Sequence, residues 1–261
     1  MEADLIRVEG LEFGYPSGGF ELVVPDLRVE PGEAVALTGP SGCGKTTLIH
    51  LLAGILEPRT GRIEVAGLDV ASLGAEDRQD LRALRIGLVF QEFELLEYLD
   101  VLDNVLLPYR LTPVLEMGDA ARERAIALAR DMGLGDKLDR FPGHLSQGER
   151  QRVGLCRALV TKPAVVLGDE PTGNLDPDNR DHVIDALLRY GSEKGAPVVV
   201  VTHDHEILPR FARVVEVGGF GQPSSLLDSR GSLLNRERSE TGAHSQTRNE
   251  PRESSDNESA P

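Results

Sequence analysis

Aromatic residues are scarce in this chain: 4% of its 261 residues are Phe, Trp or Tyr, and none is Trp. Such a composition does not favour a platform on which bases or sugar rings would stack. Positive charge is scarce too. Lys and Arg number 28 against 43 Asp and Glu, a formal net charge of -15. Nucleic acid phosphates and anionic lipid headgroups repel such a surface, so direct binding to either is disfavoured, although docking onto a membrane protein remains open. Cysteine is limited to Cys43 and Cys156, too few for a disulfide framework, which fits a reduced, cytosolic setting. The opening MEADLIRVEG has no basic n-region followed by an apolar h-region, so it does not read as a secretory signal. The longest apolar runs, such as PVVVV and AVVLG, fall far short of the ~20 residues needed to cross a bilayer. The expectation is a soluble chain.

The length suffices for one substantial α/β domain or two small ones. Short apolar runs alternate with Gly and Pro punctuation up to about residue 110 (EAVALTG, GRIEVAG, RIGLVFQ), and a helical segment, KTTLIHLLAG, is closed by Gly54. DAARERAIALARDM has a helical period ended by Gly133; further on, AVVLGDEP, DHVIDALLRY and APVVVVTHD continue the alternation of strand and helix. That order predicts a largely parallel sheet with helices on both faces. From residue 221 the sequence turns to Ser, Glu, Arg, Asn and Gly with few apolar residues, so 221–261 is expected to be a disordered polar tail.

The segment GPSGCGKTT fits the spacing G-x-x-x-x-G-K-[ST], between a predicted strand at residues 34–38 and a predicted helix. It comprises Gly39, Pro40, Ser41, Gly42, Cys43, Gly44, Lys45, Thr46 and Thr47. Glycines allow backbone N–H groups to curl around phosphate oxygens, and the helix N-terminus adds partial positive charge. Lys45 supplies a mobile cation for the β- and γ-phosphates and Thr46 a hydroxyl ligand for Mg²⁺. Cys43 reads as a tolerated small residue. In VVLGDEPTGNLD, Asp169 and Glu170 follow an apolar strand; Asp169 suits the metal shell and Glu170 the orientation of an attacking water. His203, after the strand VVVVT, can reach the same crevice. His50, His182 and His205 are assigned structural roles.

Taken in order, these segments resemble the ATP-binding subunit of ABC transporters, over residues 6–217. The likeness implies a RecA-like P-loop NTPase fold with an antiparallel β edge. It implies a core of about 1–92 and 151–220, and an inserted helical subdomain at about 93–150. It further implies that Tyr15 stacks on adenine, that Gln91 reaches Mg²⁺ and the attacking water and couples to the membrane partner, and that His203 is the switch histidine. LSQGE matches the family signature, with Ser146 and Gly148 contacting the γ-phosphate of ATP held by another subunit; Asp176 in GNLD faces that second subunit. One phosphate loop and one signature per chain imply a homodimer or pseudo-dimer with two composite sites. The cofactors implied are ATP and Mg²⁺; the partner is a separate transmembrane permease, and the location is the inner face of the cell membrane. PTGNLD and FELLEYLDVLDNVLLP are similar to the subgroup serving lipoprotein release, macrolide efflux and cell division. The alternative is a soluble ABC ATPase acting on another macromolecular complex; the acidic charge and the absence of a basic or coiled-coil insertion weigh against it. Within LSQGE, Ser146 and Glu149 also form the S-x-x-E capping box of a helix start, and Gln147 stands where many relatives have glycine.

Overall fold

In Ile6–Phe13 (β1) and Leu22–Val29 (β2) buried and less buried residues largely alternate, as a sheet with one covered face requires. The computed structural model describes residues 5–173 and 175–218, and 226–228 as backbone. β1 pairs antiparallel with β2 and with Thr60–Val65 (β4), which continues to Leu68–Asp69 (β5); the order is β2-β1-β4-β5. The expected antiparallel region is therefore a separate sheet of four strands.

The second sheet has Ala34–Thr38 (β3), Ile86–Phe90 (β6), Val165–Asp169 (β7), Val198–Val201 (β8), Arg213–Val217 (β9) and Leu226–Asp228 (β10), in the order β10-β9-β3-β8-β7-β6. All neighbours are parallel except β10, which runs antiparallel to β9. The central strands are buried along nearly their whole length, because helices cover both faces. The helices of the chain are Lys45–Leu52 (α1), Ala75–Arg85 (α2), Val101–Val105 (α3), Leu107–Leu111 (α4), Asp119–Asp131 (α5), Gln147–Leu159 (α6) and Pro177–Lys194 (α7). Leu226–Asp228 belong to the stretch expected to be a polar tail; they form a strand because an unpaired edge of β9 offers backbone groups to complete. The rest of that tail lies outside the described residues.

Residue 150 lies within α6, Gln147–Leu159. One face of α6, with Val153 and Cys156 and the following Val160, packs with Val101, Val105, Tyr109 and Ala125 in the helical region. Its opposite face, Leu155, Ala158 and Leu159, packs with Val166, Val198 and Val200 on the sheet. At about 1.5–3 kcal/mol for each large buried side chain, both bodies are firmly tied to this one helix. Burial pushes the Cys156 thiol up to about 12, so it is inert packing.

The register sets the site. Leu37, Val201, Asp169 and Phe90 stand at one level across β3, β8, β7 and β6. The chain therefore leaves the sheet at the carboxyl ends of adjacent strands, where open α/β sheets form their ligand crevice.

Candidate functional site

Four strand ends supply the crevice. β3 runs into the glycine-rich loop, which closes on α1 with Gly44 as its N-cap at φ 106. A Cβ on Gly39 would collide with the Val217 carbonyl oxygen, and one on Gly44 would stand 2.9 Å from Phe20 Cζ. Only glycine fits these two places. Lys45 Nζ donates to the carbonyl oxygens of Gly39 and Pro40, each at 2.9 Å, so the cation lies over its own loop. Cys43 is fully buried beneath it, as expected of a small packed residue.

β7 brings Asp169 to this loop: Thr46 Oγ1 donates to Asp169 Oδ1 at 3.1 Å. Burial pushes the Asp169 carboxyl above the usual aspartate range, and the bond from Thr46 offsets part of that. Glu170 adopts φ 51, an unusual conformation for a residue with a side chain. Its N–H donates to the Val201 carbonyl and its own carbonyl accepts from Gly173 N–H, so the turn is held from both sides. Glu170 Oε2 lies 2.7 Å from His203 Nδ1, and the imidazole is 72% exposed against 16% for the carboxylate. Gln91 leaves β6 beside them; a Cβ on Gly173 would stand 3.2 Å from its Nε2.

Tyr15 reaches the same end, with its hydroxyl 3.1 Å from Thr47 Oγ1 and its ring edge-on to Phe13 at 4.9 Å between centroids. It is 38% exposed, and its ring also lies 5.6 Å from that of Phe20 between centroids. His50 and His205 form no ion pair among the described residues, and His182 Nδ1 lies against the Asp178 carbonyl at 2.6 Å.

The signature residues make local contacts of their own. Ser146 Oγ accepts from Glu149 N–H at 3.3 Å, and Glu149 Oε2 accepts from Ser146 N–H at 2.7 Å, the reciprocal capping box. That bond to the Ser146 backbone holds the Glu149 carboxyl below its usual range, and the Lys137 ammonium at 3.0 Å acts in the same direction. Gln147 is exposed on the first turn and Gly148 is buried. Asp176 caps α7 through Asn179 N–H at 3.0 Å, which lowers its carboxyl. Among the described residues no hydrogen bond or ion pair joins Ser146, Gly148 or Asp176 to residues 39–47 of the same chain.

Several contributing residues escape a reading by motif. Gln151, 1% exposed, donates from Nε2 to the carbonyl of Pro171, next to Glu170. Its signal is faint but present, a polar side chain at an apolar position of the 151, 155, 158 stripe. Arg180 pairs with Asp204 at 3.1 Å and Glu206 at 2.6 Å, fixing the turn after His203. Arg157 donates to the carbonyls of Phe93 and Glu94, and the fully buried Asn104 bonds the backbone of Leu96, Leu99 and Asp100. These two anchor the chain that follows Gln91.

The arrangement fits a nucleoside triphosphate with Mg²⁺. Positive φ at Gly39, Gly42 and Gly44 gives the loop between β3 and α1 a backbone path that residues with a side chain rarely adopt, and the paired Thr46 and Asp169 are hard oxygen donors. Among the described residues no three His, Cys, Asp or Glu gather as a metal cage, and Mg²⁺ commonly takes one or two protein oxygens with substrate phosphates.

Comparison with known proteins gives the same direction. Residues 24–173 match the ABC transporter family. The chain is 40% identical over 216 residues to LolD, the ATP-binding protein of the lipoprotein-releasing system of Paramagnetospirillum magneticum, an overlap of 81% of this chain and 94% of that one. It is 39% identical over 228 residues to MacB, the macrolide export ATP-binding/permease protein of Syntrophobacter fumaroxidans, covering 85% of this chain but only 32% of that longer protein. Among solved structures, a dimeric ATP-binding cassette in a post-hydrolysis state with ADP and Pi superposes with TM-score 0.74 at 27% identity, covering 89% of this chain and 100% of that one. A dimeric bacterial ABC transporter cassette gives 0.72 at 30% identity, over 81% and 93%.

Proposed function

Since this chain belongs to the ABC transporter family as its ATP-binding and ATP-hydrolysing subunit, we propose that it works as one half of a homodimer whose two composite sites drive a separate membrane permease. The observation that carries the reading is the meeting of Thr46–Asp169 and Glu170–His203 at the mouth of one glycine cradle. In it, backbone N–H groups of residues 39–47 and the Lys45 ammonium, swung off its loop carbonyls, hold the phosphates. Thr46, Asp169 and Gln91 would hold Mg²⁺, which would neutralise charge on the phosphates. Glu170 accepts the proton of a water whose oxygen attacks the γ-phosphorus; the bond to the β–γ bridging oxygen breaks and ADP leaves. His203 keeps the Glu170 carboxylate turned to that task, and Tyr15 stacks on the base. Ser146, Gly148 and Asp176, which among the described residues share no hydrogen bond or ion pair with the loop of their own chain, close on ATP held by the second copy.

The permease then docks where the two bodies meet. A cleft of about 440 Å³ lies between α2, β6, α4 and α6, lined by Ala83, Leu88, Phe90, Leu107 and Leu111 among others. It borders the segment after Gln91 that Arg157 holds, so hydrolysis at one end and docking at the other share a single anchored stretch. No helix among the described residues is long and apolar enough to cross a membrane; attachment to the inner membrane face is through the permease. The test is release of phosphate from Mg-ATP, abolished by EDTA and by Lys45→Ala, together with recovery of a multi-span membrane protein with the tagged chain. Recovery with RNA or ribosomes instead would overturn the permease assignment.

A further inference from the structure

Two helices begin side by side at the face assigned above to the second subunit, and one side chain stands between them. Asn179, in the first turn of α7, donates from its backbone to Asp176 Oδ1 at 3.0 Å and from Nδ2 to Asp176 Oδ2 at 2.7 Å. Its Oδ1 accepts from Arg152 Nη1 of α6. A Cβ built on Gly148 would stand 2.5 Å from Asn179 Cγ and 2.6 Å from Asn179 Oδ1. Gly148 is not among the residues of positive φ. Within a helix such a position favours alanine over glycine, so conformation does not explain the residue. Space does, and Asn179 of the same chain fills that space.

We propose that Asn179 is a positioning residue that locks the start of α6 to the start of α7, so that Ser146 and Asp176 are presented to the second subunit as one rigid element. The inference rests on the composite-site reading. Both caps are already formed without the partner, Ser146 by Glu149 and Asp176 by Asn179. What the lock adds is their relative placement. Association that must first order two independent helix starts costs more than association of a preorganised pair. Gly148, expected from the family likeness to serve the facing phosphate, acquires a second reason to lack a side chain: it is the surface on which Asn179 rests.

The experiment compares Gly148→Ala, Asn179→Ala and the double variant. In the nucleotide-free chain, Gly148→Ala should lower the melting temperature, and in the Asn179→Ala background that loss should shrink or vanish. An equal loss in both backgrounds removes the contact and overturns the lock. In chains that also carry Glu170→Gln to slow turnover, Asn179→Ala should weaken ATP-dependent dimerisation about tenfold, as expected for losing roughly two hydrogen bonds that preorganise the face. ATP affinity of the monomer, read by titration with a fluorescent ATP analogue, should change less than about twofold. Unchanged dimerisation overturns the positioning role, and an equal loss of ATP affinity does so too by making the residue merely structural. If Glu170→Gln alone fails to dimerise, the composite-site reading falls and the positioning role with it, while the melting comparison still decides the contact.

Discussion

Replacing Glu170 by Gln removes one charge and keeps nearly the same shape, so the structure allows its consequences to be separated. The backbone at φ 51 bears the same strain of roughly 1–2 kcal/mol with either side chain, and the amide oxygen can still accept from His203, now 2.7 Å from the carboxylate. Folding stability should therefore move by less than about 1 kcal/mol. ATP binding should persist, because the phosphate loop is built from β3 and α1 and no hydrogen bond or ion pair from Glu170 reaches it among the described residues. What is lost is the group that takes the proton from water. General-base catalysis supplies about 10²–10⁴ in rate, which at 1.36 kcal/mol per tenfold is ~2.7–5.4 kcal/mol of barrier. The assay is phosphate release at saturating Mg-ATP, paired with size-exclusion chromatography and a melting curve. Turnover should fall at least about a hundredfold, with unchanged melting and a dimer that accumulates in ATP. A variant retaining more than roughly a tenth of the wild-type rate would refute the role given to Glu170, as would a lost rate accompanied by unfolding.

Asp169→Asn should abolish most Mg-dependent turnover yet raise the melting temperature of the nucleotide-free chain at neutral pH. The sign follows from burial: a carboxyl whose folded pKa is raised contributes its full stability only below its unfolded value, about 3.9, and loses it as pH rises through the raised one. At neutral pH the charged form costs stability; a gain that disappears near pH 4 is expected, and a lowered melting temperature at pH 7 would contradict it. Gln147→Gly, on an exposed first turn, should leave ATPase activity within about twofold; a large rise would show that this side chain crowds the composite site. Truncation after Asp228 should leave melting and ATP binding intact, whereas truncation after Gly219 removes β10, one of the two partners of β9, and should lower the melting temperature. Equal behaviour of the two truncations would show that β10 contributes nothing.

The phosphate loop, the β7 carboxylates and the capped start of α6 were legible because each is a local device: spacing, strand ending and side-chain type suffice to specify them. Strand β3 spans residues 34–38 as the apolar pattern predicts, and Gly54 and Gly133 stand in positive φ after α1 and α5 as helix-stopping residues do. Helix α2 was not singled out, since AEDRQDLRALR buries only Leu81 and gives almost no apolar stripe to read. That α6 carries two apolar faces, packed in two different clusters, is not something a linear sequence says. Asn179 and Arg180 were invisible, and Gln151 nearly so, for a related reason. Their meaning lies in partners 20, 3 and 24 residues away, and even the nearest matters only because α6 is packed on α7.

The claim on which the rest depends is that each ATP site is completed by a second copy. Glu170→Gln and a Ser146 variant with a bulky charge, Ser146→Arg, should each be nearly inactive alone, because every site in either homodimer lacks one necessary group. Mixed in equal amounts, half of the dimers pair one chain of each kind, and in these one of the two sites has both Glu170 and Ser146 intact. Activity should return to roughly a quarter of the wild-type rate. If the mixture stays as inactive as its parts while both variants still bind ATP and associate, the sites are complete within one chain and the composite account is wrong.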